Sequence, residues 1–95
     1  MSNKEDELAA GTWSIYTCII DEAAKLAFEE AMKGFVGVRH VPVAVSFQLK
    51  NGMNYKFFCN ATPVVLHPNH FASIVCVYKP LNGPANLIHI FPIQT

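Results

Sequence analysis

Charged residues are scarce in this chain, and no stretch of it is strongly basic. They make up 15% of the sequence, and seven lysines and arginines are balanced by seven acidic side chains. Nucleic acid is therefore not an expected partner, because binding to phosphates needs clustered positive charge. The sequence opens with Met-Ser-Asn-Lys-Glu-Asp-Glu and has no apolar run behind it. We therefore expect no signal peptide, no membrane partner and a cytoplasmic location.

The cysteines are too few and too widely spaced to suggest a disulfide framework or a zinc site. Cys18, Cys59 and Cys76 are odd in number, and no two are close in sequence, which favours reduced, mostly buried thiols. His67 and His70 lack a nearby carboxylate or thiol, which favours a solvated loop over a metal site. A thiol inside an apolar strand has a raised pKa and is a poor nucleophile. We therefore expect no enzymatic activity, no metal and no cofactor.

The composition predicts one well-filled hydrophobic core. Hydrophobic residues make up 52% of the 95 positions, and a chain of this length suits one core rather than two. We interpret residues 1–95 as a single domain in which residues 1–10 form a flexible tail. The high apolar content also leaves self-association open.

From about Asp21 to Lys33, apolar residues recur at the spacing of one helix face. Glu30 and the other charged residues take one face, and apolar residues take the other: Ile20, Ala24, Ala27, Phe28, Ala31 and Phe35. Asp21 can accept a hydrogen bond as the N-cap, and Gly34 can adopt the left-handed conformation that ends a helix. One amphipathic helix is predicted.

Beyond Gly37, apolar residues recur at every second position, which is typical of strands. The first strand is predicted to place alternate residues on the core: Val41, Val43, Val45, Phe47 and Leu49. Asn51-Gly52 is a tight-turn dipeptide, so Met53 to Ala61 is predicted to return as its hairpin partner. Two more strands are predicted at 71–78 and 87–93. The fold class is α+β, with one amphipathic helix packed across a four- to five-stranded antiparallel sheet.

The residues at the first predicted hairpin resemble those of the cystatin superfamily. Gln48-Leu49-Lys50-Asn51-Gly52, called here the first loop, is similar to the family's Gln-x-Val-x-Gly motif, and Asn54-Tyr55 is similar to the Asn-Tyr that follows it. Gly11-Thr12-Trp13-Ser14 resembles the glycine-led amino-terminal segment of cystatins. Pro80-Leu81-Asn82-Gly83-Pro84, the second loop, occupies the position of the family's second hairpin. The likeness is strongest to the stefins, which are cytosolic and lack disulfides.

The resemblance implies reversible, non-covalent inhibition of papain-like cysteine proteases of the cathepsin type. In cystatins the amino-terminal segment and two hairpin loops form a wedge that fills the active-site cleft. The residues implied to bind the protease are Gly11, Gln48, Leu49, Lys50, Asn51, Gly52, Pro80, Leu81, Asn82, Gly83 and Pro84. We further expect Gly52→Arg to weaken binding while leaving the fold intact, since glycine lets the backbone approach the enzyme.

One departure supports a second interpretation. Lys50 stands where the family has valine, so a charged amine would have to lose water in the cleft. The alternative is a non-inhibitory interaction module or homodimer with the same fold. Cystatin-like folds can exchange a hairpin between chains, which would hide the first loop.

Overall fold

One helix precedes four antiparallel strands along the chain. The computed structural model describes residues 11–93, so the predicted tail, residues 1–10, lies outside the described residues. The elements are α1 (Glu22–Met32), β1 (Val38–Leu49), β2 (Met53–Pro63), β3 (Phe71–Lys79) and β4 (Asn86–Ile93). The strands neighbour one another in sequence order. This meander with one packed helix confirms the predicted α+β class. Within residues 11–93, no helix is long and apolar enough to cross a membrane.

The ends of α1 follow from its capping residues. The Asp21 carboxylate accepts a hydrogen bond of 2.9 Å from the Ala24 amide, as predicted for the N-cap. Gly34, just beyond the helix, has a φ of 82°, which suits glycine because no Cβ opposes it. Phe35 was predicted on the core face, but it is 41% exposed because the helix has already ended. Its ring lies 5.5 Å from that of His40 instead.

The core forms between one face of the sheet and the apolar face of α1. Phe28 of α1 meets Phe57 of β2 edge to face, with 4.9 Å between ring centroids, an arrangement that aromatic pairs favour. Tyr55 stacks on Phe57 at 5.4 Å. The other buried members of this core are Ala24, Ala27, Val45, Cys59, Val75, Val77 and Ala85. Tyr55, Phe57 and Cys59 alternate along β2, and all three are buried on this face of the sheet.

A β-bulge in β1 corrects the predicted strand pattern. Pro42 pairs with Cys59 and Ala44 with Phe58, so the register shifts between them. Val45 is buried, but Val41 and Val43 are 44% and 40% exposed. The prediction that all five alternate residues face the core is wrong for these two, because the inserted residue turns the strand. It is also wrong for Leu49, the last residue of β1, which is 37% exposed. A proline lacks the amide that a regular ladder needs, which makes Pro42 suitable for this position.

Candidate functional site

The first loop closes the hairpin between β1 and β2 with three residues. Leu49 and Met53 form the last cross-strand pair, so the loop proper is Lys50, Asn51 and Gly52. Asn51 and Gly52 have φ values of 53° and 118°, which fits the predicted Asn-Gly turn. The hydroxyl of Tyr78 in β3 donates a hydrogen bond to the Asn51 carbonyl. The loop is thus fixed both by its own backbone and by a neighbouring strand.

The second loop, between β3 and β4, is held by a lysine and by the helix. The Lys79 ammonium donates to the carbonyls of Pro80, at 3.1 Å, and Gly83, at 2.7 Å. The Ala85 amide donates to the Glu30 carboxylate at 3.1 Å. Glu30 is exposed on α1, as its sequence position predicts, and it also joins α1 to this loop. Charge-assisted bonds of this kind are stronger than neutral ones.

The two loops touch at Gly52. A Cβ built on Gly52 would lie 2.5 Å from the Lys79 carbonyl oxygen and 3.1 Å from the Pro80 Cα. Both atoms belong to the backbone, so they cannot move aside as a flexible side chain could. Gly52→Arg would therefore force a shift in the packing of the two loops, and the expectation that the rest of the fold stays intact remains a prediction. Glycine is needed here for the contact between hairpins.

The amino-terminal segment runs beside the last residues of β1. The Gly11 amide donates to the Leu49 carbonyl at 2.9 Å, and the Gln48 side-chain amide donates to the Gly11 carbonyl at 2.7 Å. Farther along, the Lys56 ammonium lies 4.1 Å from the centre of the Trp13 ring, within cation–π range. The segment pairs with β1 through two isolated antiparallel bridges, Trp13 with Gln48 and Thr17 with Val45.

These three segments meet at one end of the sheet and line an open groove. Its lining residues are Gly11, Leu49, Lys50, Asn51, Gly52 and Leu81. Leu81 is 79% exposed and Leu49 is 37% exposed, so apolar surface projects outward here. Of the other predicted binding residues, Gln48 holds Gly11 in place, whereas Pro80, Asn82, Gly83 and Pro84 complete the second loop without lining the groove. The wedge residues predicted from sequence are thus neighbours in space.

Sequence reasoning missed the residues that anchor the loops. Tyr78 and Lys79 directly precede the second loop, so their position was a usable signal. The sequence gives no signal for the role of Glu30, because its partner Ala85 is 55 residues away.

The thiols and histidines lie outside the groove. Cys59 is fully buried, and burial raises its pKa to about 12, so it stays protonated. Burial also raises the pKa of Cys76. Cys18 is exposed, so the prediction of mostly buried thiols is wrong for that residue. The His70 ring bonds to the Thr62 hydroxyl at 2.8 Å, and residues 11–93 contain no group of three or more side chains that could hold a metal.

The elements and their order define an α+β protein with one helix on an open four-stranded antiparallel sheet, an arrangement consistent with the cystatin-like fold. No protein-family model, no curated protein and no solved structure matches the chain.

Proposed function

We propose that this chain is a reversible, non-covalent inhibitor of papain-like cysteine proteases, similar to the stefins. The observation that carries the proposal is the meeting of Gly11, the first loop and the second loop around one groove. These are the segments that the cystatin resemblance implies for binding. They are separated in sequence, so their meeting in space supports that resemblance independently of the residue motifs.

The wedge suits inhibition without chemistry. Its loops are held by hydrogen bonds from Tyr78, Lys79 and Gln48, so little freedom remains to be lost on binding. A protease–inhibitor interface typically buries about 1,600 Å² in total, which an amino-terminal segment and two loops can supply together. We propose that the chain is not an enzyme, because Cys59 and Cys76 have raised pKa values and lie outside the groove.

The proposal extends to location and requirements. We place the protein in the cytoplasm, where its three unpaired cysteines would stay reduced. Inhibition by occlusion requires no metal, cofactor, nucleic acid or membrane.

Titration of papain with the purified chain tests the proposal. A small fluorogenic substrate is used, so that residual activity reports occlusion of the cleft. We expect a stoichiometric loss of activity, and full activity at micromolar excess of the chain would contradict inhibition.

A matched pair of variants locates the binding surface. Leu81 in the second loop is 79% exposed, and Leu66, in the loop at the opposite end of the sheet, is 86% exposed. Leu81→Asp should weaken inhibition by roughly tenfold or more, because it places a carboxylate on an apolar contact. Leu66→Asp should leave it unchanged. Equal effects of the two variants would mean that the wedge is not the binding surface.

The second candidate is a non-inhibitory interaction module or homodimer. It is favoured by exposed apolar residues on the sheet face that α1 leaves open, where Val41, Phe91 and Ile93 are 44%, 51% and 36% exposed. Gel filtration measures the oligomeric state. A monomer leaves the wedge free to bind a protease, whereas a hairpin-exchanged dimer hides it. A dimer without papain inhibition would favour this second function.

A further inference from the structure

In the part of the chain that the structure describes, the groove combines an apolar surface with one unpaired positive charge. Leu49 and Leu81 expose carbon at its rim, and Lys50 lies beside them, also exposed. Among residues 11–93 the Lys50 ammonium makes no hydrogen bond or ion pair. Moreover, every acidic residue of the chain lies at position 30 or earlier, so neither loop supplies a carboxylate.

The ammonium groups of the two neighbouring lysines, unlike that of Lys50, are engaged within the chain. The Lys79 ammonium is used within the second loop, bonding the carbonyls of Pro80 and Gly83. The Lys56 ammonium lies over the Trp13 ring. Within residues 11–93, Lys50 is thus the cation of the wedge whose ammonium is not already engaged.

An unpaired ammonium strongly affects which surface the wedge can enter. Removing it from water against a neutral wall costs free energy that the adjacent leucine contacts must offset. Against a wall that carries a carboxylate, the same charge forms an ion pair and speeds association. Specificity is the difference in binding free energy between a partner with the carboxylate and a partner without it.

We propose that Lys50 is a specificity-determining residue, and that the preferred partner is a papain-like protease with a carboxylate on the cleft wall facing the first loop. This inference rests on the proposed inhibitory function. It explains how a lysine can lie beside the exposed leucines of the groove.

The test uses papain and a series of papain variants, each carrying one glutamate introduced along the cleft wall and each active on the fluorogenic substrate. Inhibition constants are measured for the unmodified chain, for Lys50→Gln and for Lys50→Val, which restores the residue that the family motif has at this position. Lys25→Gln is the matched control, because Lys25 is exposed on α1 and its loss changes the net charge equally. Circular dichroism checks that the variants are folded.

We expect the unmodified chain and Lys25→Gln to bind at least one glutamate variant about tenfold more tightly than papain, because an interfacial charge pair forms. Lys50→Gln should lose this preference. The preference should also shrink when salt rises from about 0.05 M to about 0.5 M, since exposed charges are screened.

Two negative results have different meanings. If the unmodified chain inhibits papain but prefers none of the glutamate variants, or if Lys50→Gln keeps the preference, the role of Lys50 is refuted and the inhibitory function stands. If neither the unmodified chain nor Lys50→Val inhibits any of these enzymes, the proposed function itself is refuted.

Discussion

Gly52→Ala and Gly83→Ala form a matched pair for measuring how tightly the two hairpin loops pack. Both glycines have strongly positive φ values, 118° and 112°, so an alanine at either position should cost about 1–3 kcal/mol of backbone strain. Their surroundings differ. A Cβ at Gly83 would meet only the Pro80 Cγ, at an ordinary 3.8 Å, whereas at Gly52 it would lie 2.5 Å from the Lys79 carbonyl oxygen.

This difference sets the expected magnitudes. Overpacking against backbone adds about 1–3 kcal/mol, so Gly52→Ala should be more destabilising than Gly83→Ala by about 2 kcal/mol. For a domain of this size, such a difference corresponds to a melting temperature about 8–16 °C lower for Gly52→Ala than for Gly83→Ala.

Urea unfolding followed by circular dichroism gives both free energies of unfolding, and thermal melts give an independent comparison. Equal destabilisation by the two substitutions would refute the reasoning, because strain alone would then account for both. In that case the first and second loops would not be in contact, and the wedge would lack its central support.

Three other properties can be tested apart from the wedge. Iodoacetamide should label exposed Cys18 rapidly in the folded protein and spare Cys59, whose pKa burial raises to about 12; mass spectrometry showing equal labelling would contradict this. Asp21→Ala should lower the free energy of unfolding by about 1 kcal/mol, because the Ala24 amide loses its capping partner; unchanged urea stability would contradict the cap. Burial lowers the pKa of His40 below its ordinary value of 6.5, so the unfolded chain takes up a proton on this ring more readily than the folded protein. The free energy of unfolding is therefore highest above pH 6.5 and decreases as the pH falls through the folded-state pKa. His40→Phe should therefore lose less stability than the unmodified chain between about pH 7.5 and pH 5, and an equal loss in both would oppose this assignment.

Local signals in the sequence were sufficient to predict most of the regular structure. The position of α1 follows from a helical period and a capping aspartate, and the hairpin at Asn51-Gly52 follows from turn chemistry between alternating strands. These features depend on residues only a few positions apart. The candidate wedge residues were predicted by resemblance to a family motif, and the structure places them at one end of the sheet.

The features that sequence reasoning missed depend on distant contacts. The β-bulge near Pro42 exposes Val41 and Val43, and a simple alternation of residue types gives no sign of the inserted residue. The bond from Ala85 to Glu30 and the close approach of Gly52 to Lys79 exist only after both hairpins lie side by side. Local periodicity carries no information about either contact.

The contacts that assemble the wedge also determine when it can form during folding. They join Gly11 to Gln48, 37 residues apart, and Glu30 to Ala85, 55 residues apart. Contacts of such long sequence separation close large loops and are characteristic of slow-folding topologies. An isolated hairpin could form earlier, but it would present only one of the three segments. The three segments should therefore come together late in folding, so that the rate at which the proposed inhibition appears on refolding would report completion of the whole fold.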